Sequence, residues 1–101
     1  MHRRNIIPVD GPLALIDAER LAKAIIRSGV VAFSQHAREE MAKDNLSDRD
    51  VINVIRGGHC EGCDFERGSW RYRIRTPRIV VPVVFRSEVE MVVVTAWRVS
   101  A

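Results

Sequence analysis

Apolar positions change their spacing midway along the chain. Up to Gly58 they recur every three or four residues, as on one side of a helix, and beyond it every second residue, as on one face of a strand. Ala18, Leu21, Ala22, Ile25 and Ile26 make a first helical stripe, with Asp17 placed to cap it and Gly29 to end it. Val30 to Phe33 reads as a short apolar connector. Ser34 is suited to cap a second helix running to about Asp44, in which Ala37 and Met41 are buried and Glu39 and Lys43 form an exposed pair. Ser47 with Asp50 has the spacing of a capping box, and Val51, Val54 and Ile55 form the buried stripe of a third helix closed by Gly57 and Gly58.

In the second half, Trp70, Tyr72 and Ile74 alternate with Arg71, Arg73 and Arg75, so one face of that strand is apolar and the other carries three guanidiniums. Thr76 and Pro77 turn the chain into an apolar strand from Ile79 to Phe85, and Ser87 and Glu88 lead to a last one from Met91 to Trp97. Residues 60–66 add a weaker strand. Pro82 removes a ladder donor, which predicts a bulge there. The pattern predicts an α+β fold, with about three N-terminal helices packed on one face of a three- to four-stranded antiparallel meander. Residues 14–101 form one domain, and residues 1–13, aperiodic and holding two prolines, a flexible arm.

Composition sharpens this picture at one point. Apolar residues at 47% and charged residues at 29% are ordinary for a globular domain and exclude a disordered chain. Of sixteen basic residues fourteen are Arg, and from Arg67 to Arg86 there are six Arg and no carboxylate. Planar guanidinium forks match phosphate, so this stretch favours a nucleic-acid partner over a membrane. Pro8, Gly11 and Pro12 interrupt any signal-peptide core, and no run is long enough to span a bilayer, so a cytoplasmic location is expected. Two cysteines agree with a reducing compartment.

Three clusters carry candidate chemistry. Alternate arginines on a strand lie about 6.6 Å apart, near the phosphate spacing of a single nucleic-acid strand, so Arg71, Arg73 and Arg75 are candidates to follow such a backbone. His36 sits in a first helical turn, where backbone N–H groups attract anions, and Glu40 lies one turn on to orient it. Cys60 and Cys63 have half the spacing of a zinc site, but the other half is missing, so neither metal nor cofactor is expected. The two helices 34–44 and 47–56 mimic a DNA-reading pair, against which Asp48 and Asp50 place carboxylates at the would-be groove.

The segments Ser34-x-His36-Ala37, Met41, Leu46-Ser47-x-x-Asp50-Val51, Gly57-Gly58, Trp70-Arg71-Tyr72-Arg73 and Val93-Val94-Thr95-x-Trp97 resemble a family of small bacterial proteins catalogued mostly as a domain of unknown function. That family looks related to the RelE and MqsR toxins, which share a barnase-like ribonuclease fold and an antitoxin partner. Glu40 stands where many members have Arg. The resemblance implies a metal-independent endoribonuclease acting on messenger RNA, free or on the ribosome, and held in check by a cognate antitoxin. Its catalytic residues fall on His36, Arg73 and Thr95. Arg38, Arg71, Arg75, Tyr72 and Trp97 are the substrate-binding candidates. The alternative is a non-catalytic module on the same fold that binds RNA or protein.

Overall fold

The computed structural model describes residues 11–100. Three helices, α1 (Leu15–Ser28), α2 (Gln35–Lys43) and α3 (Asp48–Gly57), combine with six strands: β1 (Val30–Phe33), β2 (His59–Glu66), β3 (Ser69–Arg75), β4 (Ile79–Phe85), β5 (Glu90–Val93) and β6 (Trp97–Arg98). The fold is α+β, but the sheet is larger than a four-stranded meander and it is mixed. Strand order is β1-β5-β4-β3-β2, with β6 paired to the free stretch of β4.

Two corrections follow from the apolar run 30–33. It is a strand and not a connector, lying parallel to β5 with Val31 opposite Met91 and Phe33 opposite Val93. A strand therefore stands between the first and second helices. The run is only four residues long, and its partner is some sixty residues away, so nothing local marked it.

The caps at α2 and α3 form as their sequences predict. Ser34 Oγ accepts from the Ala37 N–H at 3.0 Å. In α3, Asp50 N–H donates to Ser47 Oγ and Ser47 N–H to the Asp50 carboxylate, a reciprocal box. Helix α1 departs from expectation. Its N-cap is Ala14 and Asp17 lies inside the first turn, where its charge favours the helix dipole without closing a cap bond. Lys43 reaches Glu40 rather than Glu39, whose carboxylate takes a bond from Gln35.

The core lies on one sheet face. Tyr72, Ile74, Val81, Val83, Phe85, Met91 and Val93 are buried there together with Ala18, Ala22 and Ile25 of α1 and Val51, Val54 and Ile55 of α3. Helix α1 lies against β2 and α3, and α3 against β3 and β4. Helix α2 contributes Ala37 and Met41 but is held chiefly through its ends. Ser34 N–H donates to Val93 O and Ser34 Oγ to Val94 O, while Arg98 binds the backbone and side chain of Asp44. Lys23 Nζ donates to Arg56 O and Gly58 O, closing the C-terminus of α3 from α1.

Pro82 sits in regular register opposite Arg73, and the bulge expected there falls instead at Glu61 in β2, between Cys60 and Gly62. Pro82 O accepts from Val94 N–H, so the missing proline donor faces residues 94–96, the stretch between β5 and β6. The bond the proline cannot make is the reciprocal one to Val94 O, and Ser34 Oγ donates to that oxygen instead. Of the flexible arm expected at 1–13, residues 1–10 lie outside the described residues. Leu13 N–H donates to the Tyr72 hydroxyl at 2.8 Å, which in turn reaches Gly11 O, so the end of that segment is tied to β3.

Candidate functional site

The sheet face away from the core is built by the register of the β2–β3 hairpin. Arg67 and Gly68 both adopt positive φ, 51° and 81°, and make a two-residue turn. That turn sets Asp64 opposite Arg71 and Gly62 opposite Arg73, so the carboxylates just before the arginine-rich stretch are folded back onto it. Arg73 Nε lies 3.3 Å from Glu61 and its Nη1 is bonded to Asp64. Arg75 Nη1 is 3.4 Å from the same Glu61. The row of guanidiniums is therefore not free to follow a phosphate chain, as its own strand suggested. Burial draws the Arg73 pKa down, but Asp64 and Glu61 outweigh it and hold the guanidinium above its ordinary value.

Arg71 is the exception. Among the described residues its one ion pair is a long one, 3.8 Å to Glu66, and its Nε is buried with no hydrogen-bond partner. It borders a cleft of about 460 Å³ whose other walls are Ser34, His36, Glu66, Arg67, Val94 and Thr95. A second cavity of about 210 Å³ continues from the first, sharing Glu66, Arg71 and Thr95 and adding Asp64, Arg73, Pro82 and Trp97. The two form one groove across the open face of the sheet. The α2 N-terminus stands at one end and Trp97 at the other.

The eight candidate residues divide accordingly. His36, Arg71 and Thr95 meet in the larger cleft, and Arg73 and Trp97 join Arg71 and Thr95 in the smaller one. Three lie elsewhere. Tyr72 is 2% exposed, packs on Phe85 at 5.3 Å between ring centroids and is pushed to a raised pKa by burial, so it belongs to the core and not to a substrate surface. Arg38 stacks on the Phe33 ring at 4.2 Å and pairs with Asp48. Arg75 turns to Glu61 and Thr76 O. Glu40 is engaged by Lys43 and does not orient His36.

Sequence reasoning missed Glu66, Asp64 and Arg67. The signal was present in β2, where Asp64 and Glu66 alternate as Arg71 and Arg73 do. Only the hairpin register reveals that the two rows oppose each other. Cys60 is buried, which raises its thiol pKa, and among the described residues no group of three or more His, Cys, Asp or Glu is placed to hold a metal ion. No described helix is long and apolar enough to cross a membrane.

Residues 33–98 match the family described as a domain of unknown function, DUF4258. The chain belongs to the DUF4258 family. No curated protein and no solved structure matches it. The DUF4258 segment begins at the last residue of β1 and ends with β6, so it contains both cavities and every candidate residue, while α1 lies outside it.

Proposed function

We propose that this DUF4258 protein is a toxin-type endoribonuclease that cuts RNA without a metal ion. The observation that carries the reading is Arg71 Nε, a buried N–H without an acceptor in the wall of a cleft that also holds His36 and Thr95. An orphaned buried donor costs roughly 1–3 kcal/mol, and a phosphate oxygen would satisfy it with a charge-assisted bond. The adjoining first turn of α2 offers further N–H groups to the same anion.

In this reading the RNA 2′-hydroxyl attacks the adjacent phosphorus, its proton passes to Glu66, and the departing 5′-oxygen receives one from His36. The products are a 2′,3′-cyclic phosphate and a free 5′-hydroxyl. Arg71 stabilises the charge that builds on the phosphorane, and Thr95 orients a phosphate oxygen. Arg73 serves the neighbouring cavity. The groove is also where an antitoxin would bind to silence the enzyme, with carboxylates competing for the Arg71 fork.

The test is incubation of the purified chain with RNA, alone and with ribosomes, with a chelator present throughout. Cleavage leaving cyclic phosphate ends, lost in His36→Ala, is the expected result. The salt bridges at Arg73 and Arg75 favour one other reading, a module that binds RNA or protein without cutting it. Absence of cleavage under every condition, with RNA still bound, would establish that reading instead.

A further inference from the structure

We propose that the smaller cavity is a nucleobase subsite that selects guanine. The inference rests on the reading of the groove as an RNA site and adds what that site recognises. At about 210 Å³ the cavity is below the roughly 300–1,000 Å³ of pockets that take a whole drug-sized molecule, so its occupant is a single ring system. Trp97, 38% exposed, pairs with Val80 through β6 and so presents its ring on the same sheet face as Arg73 and Pro82. An indole beside a proline ring is a platform on which any base stacks.

Selection comes from the opposite wall. Asp64 and Glu66 lie two residues apart on β2 and both line the cavity, and ionised carboxylates only accept hydrogen bonds. Asp64 spends one oxygen, Oδ2, on Arg73 and has Oδ1 left. Glu66 is loosely held, 3.8 Å from Arg71 with 58% of its side chain exposed. A wall of acceptors needs adjacent donors. Among the four RNA bases guanine alone has a ring N–H and an exocyclic amino group side by side, N1–H and N2–H₂. Adenine and cytosine each place a bare ring nitrogen next to their amino group, and uracil flanks its one N–H with carbonyls, so each would set an acceptor against a carboxylate. The guanine O6 lies on the same edge, where the Arg73 guanidinium beside Asp64 supplies a donor.

Because the two cavities share Glu66, Arg71 and Thr95, a base seated on Trp97 places its own phosphate or the next one at Arg71. Cleavage would therefore occur beside a guanosine. The experiment is calorimetric titration of the full chain with the 3′-monophosphates of guanosine, adenosine, cytidine and uridine, together with mapping of cleavage positions in an RNA of mixed sequence. Guanosine 3′-monophosphate is expected to bind at least about tenfold more tightly than the other three. Trp97→Ala should weaken all four by roughly tenfold or more, since stacking is indifferent to sequence. Asp64→Ala should weaken guanosine 3′-monophosphate to about the level of the other three and so erase the preference. Both side chains are exposed, and unchanged melting of the two variants confirms that they are folded. Equal affinities, a preference for another base, no binding of any nucleotide, or a guanine preference that survives Asp64→Ala would each overturn the subsite. Guanine preference in binding without cleavage by the wild type would overturn the nuclease reading and keep the subsite. Cleavage indifferent to guanosine would do the reverse.

Discussion

Gly62 lies directly beneath the guanidinium of Arg73: a Cβ added to it would collide with Nη2 and sit 3.1 Å from Cζ. The absence of a side chain at 62 is what lets Arg73 lie flat between Glu61 and Asp64. Gly62→Ala should push the far end of a flexible side chain aside, which costs little stability, while removing Arg73 from its seat. The expected outcome is a melting temperature close to wild type with weakened RNA binding in a filter or calorimetric assay. A large fall in melting temperature would show that the strand and not the guanidinium had moved.

Arg71 sets stability against function. Its buried Nε without an acceptor is a cost in the free protein, so Arg71→Met should melt at the same temperature as wild type or higher. The same change should lower cleavage about a hundredfold to a thousandfold, the usual effect of losing a donor to a developing oxyanion. A destabilised variant with full activity would contradict both halves of the argument.

His36 is exposed, on the solvent side of a helix whose core contacts are Ala37 and Met41. His36→Ala is expected to change folding free energy by no more than about 0.5 kcal/mol and to reduce cleavage roughly a hundredfold to ten-thousandfold. Growth arrest on expression, cleavage in vitro and thermal melting measured together separate the two effects.

Arg67 holds φ at 51°, a conformation better suited to Asn or Gly, in the turn whose second residue is Gly68. Arg67→Asn should therefore raise the melting temperature by relieving that strain. The gain would come with lower affinity for RNA, because Arg67 also borders the larger cleft. A drop in melting temperature would show that the contacts of the Arg67 side chain outweigh the strain of its backbone.

The Asp50 carboxyl is held below its ordinary pKa by the bonds from Ser47. A depressed folded-state value means that the capping box stabilises the chain above the ordinary carboxylate range and loses that contribution as pH falls through the depressed value. Asp50→Asn should flatten this acid limb of the stability curve in melts below about pH 4. Identical acid limbs in the two proteins would remove the box from the account.

What could be read from the sequence follows the range of the interactions. Ser34, Ser47 and Asp50 announce helices within four residues of themselves, and the Trp70–Arg75 alternation declares its two faces without help from other strands. The misses required distant partners. Val30 to Phe33 becomes a strand only because Glu90–Val93 lies beside it, and the arginine row looks bare until the hairpin folds Glu61 and Asp64 across it. Cys60 shows the same limit. Its spacing from Cys63 suggested only half a zinc site and said nothing of burial, but Cys60 is in the core, where a serine hydroxyl would be buried, so Cys63→Ser should be the more benign of the two changes.

The parallel pairing of β1 with β5 joins the two ends of the matched segment, and through Ser34 it fastens the helix of His36 to the strand that precedes Thr95. Loop closure over such a separation is slow compared with forming a helix or a hairpin. During synthesis the helical half is made first and can begin to pack, but the groove has only one wall until residue 95 has left the ribosome. On the nuclease reading proposed above, a growing chain carries its histidine without a completed site until β5 and Thr95 have been made, and chain topology sets when activity can begin.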